Sequence, residues 1–276
     1  MSAGKTTAIV VSYRTGPRLR ECLYALAYDP AVSAVLVVDN GNADVDRVWL
    51  RAFAANREQV TVLTPDSNIG FGAGVNHAAK TVANGNLLII NPDAVLKRGS
   101  VEAMRAASTG LKAPWIVGGK VFDVTGDEVR GPRRRKLTLW RALTSFAGLN
   151  TWTLERKPSP ETPVPMDVVS GALMLVSKPG FDQLGGFDER YFLHVEDIDL
   201  CRRAWEAGGE VAYCPEAGAL HYGSTSDVPS ADVARYKADS LVYYFRKFAS
   251  NPIERAVVNA IAPLLKWAAT RRTSHH

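Results

Sequence analysis

Residue types able to do acid–base chemistry crowd into one stretch, from Gly186-Phe187-Asp188 through Tyr191-Phe192 to Glu196, Asp197 and Asp199. The last three carboxylates open a helical pattern in which Val195, Ile198, Cys201, Ala204 and Trp205 recur at three- and four-residue steps, with Gly208-Gly209 as the stop. Acids at a helix start have an ordinary explanation, because the macrodipole and the free N–H groups favour negative charge there. Asp199 and Arg203 also form a helix-stabilising i,i+4 pair. These effects cover one or two of the acids. Glu196 and Asp197 stand directly after an aromatic, glycine-rich approach that delivers a helix start into a pocket, where an ionised carboxylate accepts a proton from a substrate hydroxyl.

These acids need a scaffold, and the rest of the chain supplies one. Thr6 to Ser12, Ala34 to Val38, Val60 to Leu63 and Asn86 to Ile90 are short, β-branched, apolar runs separated by helical patterns. Such alternation predicts an α/β domain with a mainly parallel sheet flanked by helices, and ligands in such sheets bind at the carboxyl ends of the strands. Three of the runs end in polar groups: Ser12-Tyr13-Arg14, Asp39-Asn40, and Asn91-Pro92-Asp93. Each alone is an ordinary turn signal, whereas three on one rim point to a nucleotide or metal site. Between the third and fourth runs, Asn68-Ile69-Gly70-Phe71-Gly72-Ala73-Gly74-Val75-Asn76 allows close backbone approach and leads into a helix predicted from about Gly72 to Val82. Its spacing is neither the dinucleotide fingerprint nor a P-loop.

Further on, strands are predicted from Trp115 to Val121, from Met166 to Val176 with Gly171-Ala172 inside it, and from Glu210 to Cys214, followed by Ala219 to Gly223 around His221. Arg130 to Lys136 is a basic run ahead of Leu137, Leu139 and Trp140, suited to a solvated loop, an anionic membrane face or a diphosphate. No recognised nucleic-acid motif accompanies it, so nucleic acid is not expected as a partner. Two helical patterns, about Ser230 to Phe248 and Pro252 to Thr270, close the chain. The second keeps Ile253, Val257, Val258, Ile261, Leu264 and Leu265 on one face, for packing on the sheet domain or lying in a membrane interface.

Composition narrows the function classes. The chain has 276 residues, 46% of them hydrophobic, and a net charge of +5, which accommodates one large domain with phosphate-bearing ligands or an anionic surface as partners. No window approaches the apolar length of a membrane span, and the N-terminus lacks signal-peptide features, so a cytoplasmic protein is expected. Cys22, Cys201 and Cys214 lack CxxC spacing, which argues against a disulfide framework or a cysteine zinc site.

Taken in order, Val10-Val11-Ser12-Tyr13, Val37-Val38-Asp39-Asn40, Asn68 to Asn76, Asn91-Pro92-Asp93, Ser170-Gly171-Ala172, Gly186-Phe187-Asp188 and Phe192 to Arg203 resemble the inverting glycosyltransferases of family 2, and most of all their bacterial rhamnosyltransferase branch. The resemblance implies a GT-A, Rossmann-like domain over residues 1–228, interrupted by a variable basic, proline-rich loop at 130–165, and a C-terminal helical extension at 229–276. It also implies a nucleotide-sugar donor, dTDP-rhamnose foremost and a UDP-sugar as the alternative. The acceptor would be a lipid-linked or polysaccharide hydroxyl at the inner membrane face. Carried over residue by residue, Asp197 is the base. Ser12, Tyr13, Arg14, Asp39, Asn40, Asn68, Gly70, Phe71, Asn76, Asn91, Gly171, Ala172, Glu196 and Arg203 line the substrate site. Asp93 and His221 hold Mn²⁺ or Mg²⁺. Asn91 departs from the family's Asp-x-Asp motif and leaves one fewer carboxylate for the metal. Glu196 and Asp199 stay open as alternative bases. A sugar-nucleotide nucleotidyltransferase and a non-catalytic binding homologue are the competing readings; Ser12-Tyr13 in place of a glycine-rich basic loop weighs against the first, and joint retention of Asp93, Asp197 and His221 against the second.

Overall fold

The computed structural model describes residues 4–129, 131–139, 141, 158–223 and 229–271. Its centre is a nine-stranded sheet in which β1 (Thr6–Ser12) lies between β2 (Ala34–Asp39) and β4 (Asn86–Ile90), with β3 (Val60–Leu63) outside β2. All three of these pairings are parallel, and β1, β2 and β3 are each followed by a helix: α1 (Arg18–Ala27), α2 (Asp44–Ala55) and α3 (Phe71–Ala79). Every residue of β1 is buried, as its unbroken apolar run requires of a strand covered on both faces.

The second half of the sheet is mixed. β10 (Leu173–Ser177) is antiparallel to both β4 and β6 (Ile116–Phe122), and β11 (Val211–His221) then runs parallel to β6. β5 (Ala94–Leu96) and β8 (Val164–Pro165) pair antiparallel with β11. The two segments predicted around Cys214 and His221 are one strand, with a register shift between Cys214 and Gly218 that re-aims its end. The single strand predicted from Met166 to Val176 is instead divided. β9 (Val168–Val169) leaves the sheet to pair with β7 (Arg133–Arg134), and Ser170-Gly171-Ala172 turns, with the Ala172 N–H donating to Ser170 Oγ at 3.2 Å, before β10 begins. The apolar pattern hides that turn because both sides of it are buried.

One face of the sheet packs on α1, α2 and α4 (Ser100–Ser108), the other on α3, α5 (Lys178–Gln183), α6 (Glu196–Glu206) and α7 (Ser230–Lys247). α3 lies so close to β1 that a Cβ on Gly74 would stand 2.8 Å from Val11 Cγ1. Helix α8 (Pro252–Arg271) folds back along α7, burying Val258 and Ala262, while Ile253, Leu264 and Trp267 on its other side are more than half exposed. No described helix is long and apolar enough to cross a membrane. The three cysteines are buried and free.

Candidate active site

The carboxyl ends of β1, β2 and β4 and the start of β10 meet along one rim, as parallel topology demands. At one end Asp39 is built into its own turn: Oδ1 accepts from the Gly41 N–H at 3.2 Å and from the Asn42 N–H at 2.9 Å, and Oδ2 faces Arg47 Nε at 3.4 Å. Asn42 extends this network, donating Nδ2 to Asp39 Oδ1 at 2.9 Å and accepting the Ser12 hydroxyl at 2.9 Å. The Tyr13 ring covers Gly41, and the exposed Arg14 guanidinium lies 5.3 Å from that ring. Asn42, Arg47 and Thr15, whose Oγ1 lies 3.0 Å from Ser12 Oγ, were not singled out from sequence. The legible sign for Asn42 was its place three residues after Asp39, an Asx-turn spacing.

Asn40 bridges this end to the glycine-rich loop. Its Nδ2 donates to Asn68 Oδ1 and to the Gly70 carbonyl, both at 3.0 Å. Gly70 has φ +86° and ψ 175°, which a side-chain-bearing residue rarely adopts, and a Cβ there would stand 2.5 Å from the Phe192 carbonyl oxygen. The Phe71 N–H donates to that same oxygen at 3.1 Å, so the loop and the approach to the acidic helix are bolted together. Phe71 itself forms a wall, 6.1 Å ring to ring from Phe187, and its Cε1 would stand 3.6 Å from a Cβ placed on Gly171. Helix α3 starts at Phe71, one residue before the predicted start, and ends at Ala79.

In the middle of the rim, His221 Nε2 lies 3.1 Å from Asp93 Oδ1 and 3.1 Å from Asn91 Nδ2. The Asn91 N–H donates to the Ala172 carbonyl and the Tyr222 N–H to the Asp93 carbonyl, which join β4, β10 and β11 at this point. Residues from distant parts of the sequence thus form one carboxylate–imidazole pair. No group of three or more His, Cys, Asp or Glu side chains among the described residues could hold a metal ion alone. A hard cation at this pair would draw on two protein ligands and take its remaining ligands from phosphate oxygens and water, a donor set that suits Mg²⁺ or Mn²⁺.

At the far end stands Asp197, only 8% exposed, with Oδ2 accepting the Gly171 N–H at 3.1 Å and Oδ1 the Ile198 N–H at 2.8 Å. Glu196 is 6% exposed and its Oε2 has no hydrogen-bond partner. Burial first, and the neighbouring Asp197 charge second, hold its carboxyl well above the usual range. The two residues ahead of it, His194 at φ 68° and Val195 at φ 76°, are left-handed without being glycine, a conformation that persists only where the surroundings enforce it. They are enforced from two sides, by the Phe71–Phe192 bond and by Ser240 on α7, whose hydroxyl donates to the Leu193 carbonyl at 2.9 Å. Burial also pushes the His194 imidazole down to about 4, with Lys237 adding to the effect.

Three residues expected to act on substrate are committed to structure. Asp199 is fully buried and accepts from Tyr191 Oη at 3.0 Å, Arg203 Nε at 2.5 Å and Lys247 Nζ at 2.5 Å, so it anchors α6 and is no base. Arg203 spends its remaining donors on the Leu184 and Gly186 carbonyls, bracing the approach loop from beneath. Asn76 clamps that loop too, accepting the Phe187 N–H at 2.9 Å and donating to the Phe187 carbonyl at 2.8 Å. The i,i+4 and helix-start signals were real, and they served packing. Of the basic run, Arg133 is buried in a bidentate pair with Glu128 at 2.9 and 2.8 Å and is no solvated loop residue; Arg130, Trp140 and residues 142–157 lie outside the described residues.

Residues 3–246 match the family described as glycosyltransferase like family 2. The chain belongs to that family. Among curated proteins it is similar to the N-acetylglucosaminyl-diphospho-decaprenol L-rhamnosyltransferase of Mycobacterium tuberculosis, 29% identical over 85% of this chain and 82% of the relative. It is also similar to the rhamnosyltransferase WbbL of Escherichia coli K12, 24% identical over 68% of this chain and 82% of the relative. Among solved structures it superposes on GalNAc-T7 with UDP, GalNAc and Mn²⁺ at TM-score 0.64, with 12% identity, over 99% of this chain and 55% of that one. The mannosyltransferase PcManGT of Pyrobaculum calidifontis, in complex with GDP-Man and Mn²⁺, gives TM-score 0.63 with 16% identity over 99% and 74%. The fold is therefore GT-A, and this family 2 member is a glycosyltransferase.

Proposed function

We propose that this family 2 enzyme is an inverting rhamnosyltransferase. It takes dTDP-rhamnose as donor and a hydroxyl of a lipid-linked or polysaccharide acceptor as nucleophile, in cell-envelope glycan synthesis. The observation that carries the reading is Asp197: a nearly buried carboxylate, each oxygen fixed by one backbone N–H, on the same rim as the Asp93–His221 pair. Inversion requires one such base and no covalent nucleophile, because the acceptor oxygen displaces the nucleoside diphosphate from the opposite face of the anomeric carbon.

In this scheme Ser12, Tyr13, Arg14, Asp39 and Asn40 surround the nucleoside, and Asn68 and Gly70 lie toward the donor sugar. Asp93 and His221 would hold the divalent cation, with Asn91 beside them. Such a cation, when bound, stabilises the negative charge that grows on the leaving diphosphate. Asp197 takes the acceptor proton as the hydroxyl attacks; the Gly171 and Ile198 N–H groups keep it aimed and leave its outer lone pairs for the hydroxyl. Glu196, with one oxygen unsatisfied beside it, hydrogen-bonds a sugar hydroxyl. The name of the mycobacterial relative supports both rhamnose and a lipid diphosphate acceptor. The exposed Ile253, Leu264 and Trp267 on α8 support a cytoplasmic enzyme resting peripherally on the inner membrane face.

Calorimetric titration with dTDP and UDP, each with and without Mn²⁺, on the natural chain and Asp93→Ala tests the donor reading. Metal-dependent binding that prefers dTDP and is lost in the variant is expected. Preference for UDP overturns the rhamnose assignment, and metal-independent binding overturns the role of Asp93.

A further inference from the structure

Two cations near Asp197 are left over once the described ion pairs are assigned. Arg133, Arg203 and Lys247 each close a pair with a buried or nearly buried carboxylate. Among the described residues Arg134 and Lys237 do not close one; Arg134 donates Nε to the Gly131 carbonyl at 2.8 Å.

Their backbones bring them to the same place. Arg134 lies on β7 opposite Val168 of β9, and β9 leads directly into the Gly171 turn that binds Asp197. Lys237 lies on α7 between Tyr236, whose ring centroid is 4.5 Å from that of Phe192, and Ser240, which holds the Leu193 carbonyl. The charges of both reach His194, Arg134 bears on Glu196, and Lys237 bears on Asp197. Lys237 is an exposed residue, yet the protein atoms around its ammonium, and next the Arg134 charge, hold it below its ordinary range. Two like charges drawn together from separate elements, with neither in an ion pair among the described residues, leave unfavourable electrostatic energy that an anion relieves. Simple balancing of the site's carboxylates does not explain them, because this protein balances Asp199 by direct contact.

We propose that Arg134 and Lys237 form a diphosphate seat for the acceptor, one sugar ring away from the hydroxyl that Asp197 deprotonates. This rests on the lipid-linked acceptor reading. The diphosphate of such an acceptor is the anionic link between its first sugar and its lipid, so it falls beside the base and not against it. The donor carries a diphosphate as well, but its expected place is beside the Asp93–His221 pair in the middle of the rim.

Direct binding separates the two sources. The full chain is titrated with a short-chain alkyl diphosphate, alone and with dTDP saturating the donor site. The natural chain is expected to bind in both cases. Arg134→Gln and Lys237→Gln should each weaken binding by about 10- to 100-fold, the usual worth of a charge-assisted contact, while Lys237→Arg retains it. Affinity for dTDP should be unchanged in all three. Competition between the alkyl diphosphate and dTDP, unchanged affinity in both Gln variants, or no binding to the natural chain would each overturn the seat. The acceptor reading is judged separately, by turnover of dTDP-rhamnose with diphosphate-linked and neutral sugar acceptors. Transfer confined to neutral acceptors defeats that reading even if the alkyl diphosphate binds.

Discussion

Replacing Gly70 with alanine should damage catalysis more than folding, because the added methyl is aimed at the one loop that delivers the acids. Its Cβ would meet the Phe192 carbonyl oxygen at 2.5 Å, and that oxygen is backbone and cannot rotate away. The φ of +86° with ψ 175° adds a conformational cost of about 1–3 kcal/mol for a residue other than glycine. Relieving the overlap by moving one wall costs a further 1–3 kcal/mol, roughly, as for other overpacked sites. The sum is on the order of 2–6 kcal/mol, which a domain of this size registers as a fall in Tm of about 2–4 °C per kcal/mol. The wall that moves is Phe192, four residues ahead of Glu196, and displacements near 1 Å at reacting groups cost about 100-fold in rate. Melting curves and initial rates on the same preparation test this. A Gly70→Ala enzyme with kcat within about twofold of the natural chain would refute the argument that the Gly70–Phe192 contact aims Asp197.

The other supports of the loop make their own predictions. Ser240→Ala removes the hydroxyl on the Leu193 carbonyl and should cost about 1–3 kcal/mol of stability with a fall in kcat, while Ser240→Thr restores both; equal behaviour of Ala and Thr in melts and rates would count against that bond. Asn76→Ala breaks three hydrogen bonds to the Phe187–Glu189 loop and should lower Tm by several degrees while leaving dTDP affinity intact, as calorimetry would report. Glu196 predicts a pH effect of definite sign. Its folded pKa is raised, so from its ordinary value of 4.5 upward the unfolded chain loses a proton that the folded chain keeps, and stability falls by up to about 1.4 kcal/mol per pH unit until the folded group ionises. Denaturant melts across pH 5 to 7 should show that decline in the natural chain and a shallower one in Glu196→Gln; parallel curves would mean that Glu196 is ionised in the fold.

The parallel half of the sheet was legible because its strands are unbroken apolar runs with polar ends, and burial on both faces leaves no other pattern available. The rim residues at those ends were legible for the same reason. What escaped notice depends on contacts far apart in the chain. The break at Ser170-Gly171-Ala172 is invisible where apolar residues flank a buried turn. The structural duties of Asn76, Asp199 and Arg203 follow from the approach loop folding back onto α3 and α6, which no local spacing encodes. The part played by α7 was hidden because Ser240 and Lys237 read as ordinary polar positions of a terminal helix. Only the fold brings that helix onto Leu193 and Phe192.

The central claim is that Asp197 removes the acceptor proton in a single inverting displacement. Asp197→Asn keeps the size of the side chain and an oxygen for one of the backbone N–H groups while removing its basicity. Transfer of sugar from dTDP-rhamnose by this variant, followed by product formation and by the anomeric configuration of whatever product appears, tests the claim directly. Expected are a dTDP affinity within about twofold of the natural chain and transfer reduced by at least about 100-fold, with inverted product from the natural enzyme. Near-natural turnover in Asp197→Asn, or a product that retains the donor's configuration, would contradict it.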